Sequence, residues 1–320
     1  MFFEIDVETK EVLFEWRALD WLSLDESRMG WDAGGKADQH APWDWFHINS
    51  VQLVGDNYLV NARHHWAMYL IDGKDGHIIW KFDGVNGGDF GSIPSGAEFR
   101  WQHHARAHNV SEQGMAISLF NNKVAGEENK HTQTEGLMFY LPLPANPAHP
   151  PTLLRRLTDP SEPLFAGTQG SYTANLGNGN QFMGYGSLPI AREYGPASEG
   201  NDLRWQAQFG AVKSVQSYRV FKDTWHATPA LWDPNLAVEK ARSDSWSEHG
   251  KVHCYVSWNG ATEVEDWAVY AGQSDTGLQK VGVAKKMGFE TKFELDGYKC
   301  VQVEAIQGGK AIRKSNVACV

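Results

Sequence analysis

The sequence predicts an all-β chain, β-propeller blades followed by a small C-terminal β-sandwich, and three observations carry that reading. The 320 residues include 32 glycines and 14 tryptophans, and Asn-Gly, Asp-Gly and Gly-Asn pairs separate short apolar runs, the pattern of many strands joined by tight turns. The runs themselves alternate apolar and polar residues with the period of an extended strand. Residues 3–16, a strand, a short turn and a second strand, recur in kind at 69–82. Hairpins repeated at long period are the outer strands of propeller blades.

The elements follow in order. After the hairpin at 3–16, one blade runs from about 45 to 84. Its inner strands lie in 47–65 around a turn at Val54-Gly55-Asp56-Asn57, and 69–82 is its outer hairpin. A second blade runs from His103 through 115–120, 137–141 and 153–157. A third uses 170–176, 181–186 and 203–207, and 212–222 supplies a further strand. Residues 123–135 and 142–151, polar or rich in proline, read as loops. The composition shifts after Pro229, so the blades occupy 1–229 and the irregular, charged stretch 230–250 is a linker. In 251–320, alternating runs at 252–258, 267–270, 289–295 and 300–305 predict an Ig- or fibronectin-like sandwich, with Trp258 and Trp267 in its core. The three cysteines allow two readings. Cys300 and Cys319 join two C-terminal strands in an oxidising compartment, or Cys254, Cys300 and Cys319 are all small buried apolar residues.

A formal net charge of -10 with no basic stripe argues against a nucleic-acid partner. No apolar run is long enough to span a bilayer, and the start, Met1-Phe2-Phe3-Glu4-Ile5-Asp6, lacks the basic and apolar regions of a signal peptide. The expectation is a soluble, cytoplasmic chain without membrane partners. Because it opens directly in strand-like sequence, we also expect a chain truncated at the N-terminus, with an unpaired strand edge that favours self-association.

Three strings gather the candidate chemistry: His47-Ile48-Asn49-Ser50, Ala62-Arg63-His64-His65 and Trp101-Gln102-His103-His104-Ala105-Arg106. On a strand, His47 and Asn49 share a face, as do Asn61, Arg63 and His65. His103 shares its face with Ala105 and Ala107, leaving room for a ligand, while Gln102, His104, Arg106 and His108 take the other. Neutral imidazole can act as nucleophile, base or acid, and a neighbouring guanidinium is a planar fork for a tetrahedral oxyanion. The combination suits transfer of an anionic group. A lone histidine in a strand is usually structural; agreement of three strings is what favours a site. Metal ligation is not expected, because His64-His65 and His103-His104 are adjacent pairs aimed at opposite faces and no carboxylate sits at helical ligand spacing. No cofactor is expected.

Asp44-Trp45-Phe46-His47-Ile48-Asn49-Ser50-Val51, then Ala62-Arg63-His64, the hairpin from Ile71 to Trp80, Trp101-Gln102-His103 with Ala105-Arg106, and Ser118-Leu119-Phe120-Asn121-Asn122 together resemble the arylsulfotransferase family, particularly its fungal branch. Gly184, Gly186-Ser187, Glu193-Tyr194 and the segment 256–264 extend the resemblance over the whole chain. It implies a six-bladed propeller that moves a sulfuryl group from an aryl sulfate to a phenol without a nucleotide donor. It further implies His103 as the covalent nucleophile, with His47, Asn49 and Arg63 holding the sulfuryl oxygens. His65, His104, Gln102 and Trp101 would line the place of a small aromatic substrate. The chain departs from the family in lacking upstream blades with a further site histidine, and in carrying His104 where fungal relatives have an acidic residue. Family members are often secreted. Two other readings of the same residues are a propeller lyase or cyclase acting on a small aromatic or polyketide-like molecule, and a non-catalytic binding propeller.

Overall fold

The structure, a computed structural model, describes residues 1–31, 42–123, 133–159, 161–241 and 250–320. The chain divides into two compact units, Met1–Asp223 and Thr224–Val320.

The first unit is built of antiparallel sheets in chain order. Strands β1 (Phe2–Ile5) and β2 (Val12–Trp16) form a hairpin. Strands β3 (Ile48–Val54), β4 (Asn57–Ala62), β5 (Ala67–Ile71) and β6 (Ile78–Asp83) form a four-stranded meander. Strands β7 (His103–Ser111), β8 (Gly114–Asn121), β9 (Glu135–Pro142) and β10 (Thr152–Leu157) form a second. Strands β11 (Ser171–Thr173), β12 (Gln181–Gly184), β13 (Ile190–Tyr194) and β14 (Leu203–Gln208) form a third. Each is the up-and-down sheet expected of a blade.

Alternation along the strands explains the stacking, because both faces of the middle sheets are apolar. From β4 and β5, Tyr58, Val60, Ala62, Ala67, Tyr69 and Ile71 pack toward the β1–β2 hairpin, where they meet Phe2 and Trp16. Leu59, Met68 and Leu70 point the other way, onto Ile117, Leu119 and Phe139 of the second sheet. From β8, Ala116 and Phe120 face Tyr172 and Met183 of the third. Aromatic contacts cross these layers: Phe82 meets Phe139 at 5.4 Å and Phe14 stacks on Tyr58 at 4.6 Å. Fully burying one such ring contributes roughly 1.5–3 kcal/mol, so the inter-sheet layers, more than the hydrogen-bond ladders, hold the sheets together.

Three expectations need correction. β13 was not foreseen, because Pro189 and the adjacent charges of Arg192 and Glu193 break the apolar pattern. Those charges are buried and paired, Arg192 with Asp159 at 2.8 Å and Glu193 with Lys222. Residues 212–222 form no regular strand; instead 217–220 lie beside β11, held by Gly170 N–H to Tyr218 O at 3.0 Å and Ser171 Oγ–H to Val220 O at 2.8 Å. The stretch 230–250, expected as a linker, contributes a strand, β15 (Asn235–Lys240), to the second unit.

In that unit, β15, β16 (Lys251–Ser257) and β19 (Glu290–Asp296) form one sheet. Strands β17 (Asp266–Gly272), β18 (Gln279–Lys285), β20 (Cys300–Gln307), β21 (Lys310–Lys314) and β22 (Ala318–Cys319) form the other. Trp258, Trp267, Val256, Val301 and Val303 fill the core between them, as the alternation predicts. Cys300 and Cys319 are disulfide-bonded across β20 and β22, and Cys254 is free and buried.

Candidate functional site

The three strings meet at the start of the first strands of two neighbouring sheets, in geometry that strand alternation does not give. β3 starts only at Ile48, and His47 has a left-handed φ of 56°. Its side chain therefore leaves the strand, and Nδ1 bonds the carboxylate of Asp44. Asn49 turns elsewhere, donating from Nδ2 to Gln102 O at 2.7 Å. The expected shared face of His47 and Asn49 is not formed, because the strand has not begun at His47.

Arg63, His64 and His65 are also not strand. They form a single 3-10 turn closed by Trp66 at φ 50°. The turn separates residues that alternation would have placed together. Arg63 donates from Nη1 to His64 Nε2 at 2.7 Å, and its guanidinium lies 4.9 Å over the Trp101 ring. With Nε2 accepting, the His64 proton sits on Nδ1, which faces Asp44 O. The His64 ring is 4.7 Å from that of His47 and 5.7 Å from Trp101. His65 goes the other way. It packs against Phe46 at 4.7 Å, and its Nδ1 bonds Tyr69 Oη at 2.7 Å in the apolar layer behind the turn. A substrate-lining role for His65 is corrected accordingly.

Gln102 is likewise a brace rather than a wall. It is wholly buried, donating to Asn61 Oδ1 at 2.8 Å and to the carbonyls of Ala62 and Ala67. Trp101 and His104, on either side of Gln102-His103, have φ of 54° each, and pairing of β7 with β8 is irregular between His103 and Arg106. This irregularity breaks the alternation that would have sent His103 and His104 to opposite faces. Both rings instead reach the same neighbouring segment. Gln169 N–H lies 3.3 Å from His103 Nε2, and Tyr172 N–H donates to His104 Nδ1 at 3.2 Å. Non-glycine residues held at positive φ cost energy the surroundings must supply, and here they cluster at the candidate site.

Four residues have site roles that the sequence reading does not assign to them, although Asp44 and Asn122 stand in its motifs. Asn122 Oδ1 accepts from His103 Nδ1 at 2.7 Å. Its own amide is fixed by donating to Ala166 O at 2.8 Å and Gln169 O at 3.0 Å, so its oxygen must face the ring. His103 then carries its proton on Nδ1 and a lone pair on Nε2. Asp44 orients His47 in the same way. Tyr218 brings its ring to 6.1 Å from His103, and Arg219 donates from Nη2 to Asn49 O. Gly170, at φ 112°, lets this segment approach: a Cβ there would fall 2.3 Å from the Phe120 ring.

Burial controls the protonation states. It lowers His103 to about 4, against the opposing hydrogen bond to Asn122, with the nearby Arg63 guanidinium and His47 ring adding to the fall. It lowers His104 to about 3, aided by Arg106 and Arg219. His65 falls to about 4 for the same reason. These imidazoles are neutral at pH 7. Burial also lowers Arg63 from the ordinary arginine value, opposed by Asp44.

Among the described residues, Asp44, His47 and His64 approach closely enough to share a metal ion. The donor set fits poorly, because both His64 nitrogens are engaged and the Arg63 guanidinium lies against Nε2. A cation bound there would be repelled by that fixed positive charge. Beside Asp44 and His47 opens a crevice of about 740 Å³ walled by Trp43, Trp45, Ala18 and Leu19, apolar enough to take an aromatic ring. No curated protein matches the sequence. The family model of arylsulfotransferases (ASST) matches residues 1–210, well over half of the chain, which therefore belongs to the arylsulfotransferase family.

Proposed function

We propose that this chain transfers a sulfuryl group from an aryl sulfate ester to a phenolic acceptor through a covalent sulfo-histidine at His103. The observation that carries the reading is the state of that side chain. His103 is buried and neutral, with its proton held on Nδ1 by Asn122 and its Nε2 lone pair directed at the group around Gln169. Membership of the family supports the reaction class.

In the first half-reaction the Nε2 lone pair forms the N–S bond, the S–O bond to the aryl group breaks, and the phenolate departs. The weak 3.3 Å contact from Gln169 N–H yields to the incoming sulfur. Arg63 balances charge on the sulfuryl oxygens, an electrostatic contribution of the kind worth about 10²- to 10³-fold per donor, while Asn49, its amide committed to Gln102 O, braces the strand beside the site. In the second half the acceptor hydroxyl gives its proton to His47, whose Nδ1 is fixed by Asp44 so that Nε2 is the free base. The acceptor oxygen attacks sulfur, the N–S bond breaks, and His103 returns to its neutral form. The proton on His47 passes to solvent or to the departed phenolate. Trp101 and the tryptophan-walled crevice supply apolar surface for the ring.

The test is release of 4-nitrophenol from its sulfate ester. His103→Ala should lose several orders of magnitude in rate, as loss of a covalent nucleophile does, and Arg63→Ala about 10²- to 10³-fold. Near-wild-type turnover by His103→Ala would rule out the covalent route.

A further inference from the structure

Arg106 and Arg219 are two partly buried cations of the first unit. Arg106, on β7, donates from Nη1 to Ala105 O at 2.7 Å; Arg219 donates from Nη2 to Asn49 O, and its Nε is buried without an acceptor. Among the described residues no acidic side chain pairs with either. The contrast within the same unit is plain: the Arg192 guanidinium meets Asp159 and Glu162, and that of Arg204 meets Asp202 and Glu199. Burial lowers Arg106 to about 10, and the charge of Arg219 adds to the fall. Like charges held together at a partly desolvated place are costly unless an anion joins them.

The surroundings fit an anion carried on an aromatic ring. His104 lies within the field of both arginines and is neutral. Its Nδ1 accepts from Tyr172 N–H, which leaves an Nε2–H donor with no partner among the described residues. The ring of Phe221 lies 5.5 Å from that of His104, and Tyr218, under Arg219 at 5.4 Å, lies 6.1 Å from His103. Aromatic surface therefore leads from His103 to the paired guanidiniums, and both Tyr218 and Phe221 are exposed enough to receive a ring. Asn49 joins the two places, with its side chain beside Gln102 and its carbonyl on Arg219.

We propose that Arg106 and Arg219, with His104, form a second anion subsite beside the sulfuryl-transfer site, and that it takes the carboxylate of a phenolic acid. The ligand's role as acceptor rests on the reading of His103 given above; its binding does not. An arginine pair offers bidentate, charge-assisted hydrogen bonds to a carboxylate, while a neutral phenol offers it nothing.

The experiment is calorimetric titration of the intact chain with 4-hydroxybenzoate, phenol and inorganic phosphate, which needs no turnover. 4-Hydroxybenzoate should bind at least about 10-fold more tightly than phenol, and Arg106→Gln and Arg219→Gln should each weaken it about 10- to 100-fold, the worth of a charge-assisted hydrogen bond. The affinity ratio of 4-hydroxybenzoate to phenol should fall in both variants and recover in part in Arg106→Lys, with thermal unfolding confirming that each variant folds. Equal affinities for phenol and 4-hydroxybenzoate, or an unchanged ratio in both glutamine variants, would overturn the subsite. Inorganic phosphate binding as tightly as 4-hydroxybenzoate would overturn its assignment to a ring-borne carboxylate. If 4-hydroxybenzoate binds as expected while no sulfuryl transfer occurs, the fault lies with the His103 reading and the subsite stands.

Discussion

Asn122 holds the proposed nucleophile in one tautomer, and its replacement has a consequence that can be worked from the contacts. Asn122→Ala removes three hydrogen bonds: from His103 Nδ1 at 2.7 Å, and to the carbonyls of Ala166 and Gln169 at 2.8 and 3.0 Å. At a net 0.5–1.5 kcal/mol each, with a buried N–H left unmatched, the fold should lose about 2–4 kcal/mol. The rate should fall about 10- to 100-fold, because a preference of roughly 1 kcal/mol for the Nδ1–H tautomer disappears along with the ring's orientation. Asn122→Asp separates tautomer from charge. A carboxylate beside Nδ1–H stabilises the imidazolium and raises His103 from about 4, so more of it is protonated and non-nucleophilic at pH 6. The variant should therefore be slow at pH 6 and recover as the pH rises. The assay is stopped-flow release of 4-nitrophenol between pH 5.5 and 9, normalised to the folded fraction. Asn122→Ala matching the wild type at pH 7, together with an unshifted profile in Asn122→Asp, would show that Asn122 does not set the tautomer of His103.

Two further outcomes concern the fold. Arg192 and Asp159 are both almost wholly buried, so Arg192→Met should cost about 3–5 kcal/mol by stranding the Asp159 carboxylate, whereas Glu162→Gln, at an exposed partner, should cost under about 1 kcal/mol; denaturant unfolding of both variants compares them. His65, His103 and His104 have folded-state values depressed to about 3–4, below the ordinary 6.5. In that interval the unfolded chain binds more protons, so their contribution to stability is full above pH 6.5 and is lost as the pH falls toward 4, on the order of 1–3 kcal/mol for each. The melting temperature should drop steeply between pH 6.5 and 4, and His65→Phe should flatten part of that slope.

The sequence made the layered sheets legible because their strands obey one simple rule. Leu59, Met68 and Leu70 alternate with Val60, Tyr69 and Ile71, and both sets are apolar, so strand, face and stacking follow from a period of two. The site broke that rule. The left-handed backbone at His47, Trp101 and His104 and the 3-10 turn at Arg63–His65 re-aim every candidate side chain, and no local propensity announces them. Alternation therefore grouped His65 with Arg63, whereas the turn buries it against Phe46 and Tyr69. Asn122 had a signal, a polar pair closing the apolar strand β8, but its partner lies 19 residues away on another strand. Arg219 had none, since it lies in an irregular segment and reaches the site only because Gly170 and Ser171 hold its neighbours beside β11. β13 was hidden by charges whose partners, Asp159, Glu162 and Lys222, come from other segments.

The proposed route places a sulfuryl group on His103 between donor and acceptor. Intact-mass spectrometry of the chain after brief exposure to 4-nitrophenyl sulfate without an acceptor tests it most directly, followed by fragmentation to locate the added group. One sulfuryl group per chain is expected, on the peptide bearing His103, that disappears when phenol is added and never forms in His103→Ala. Release of 4-nitrophenol with no sulfuryl group on the protein, or with the group on another residue, would contradict it.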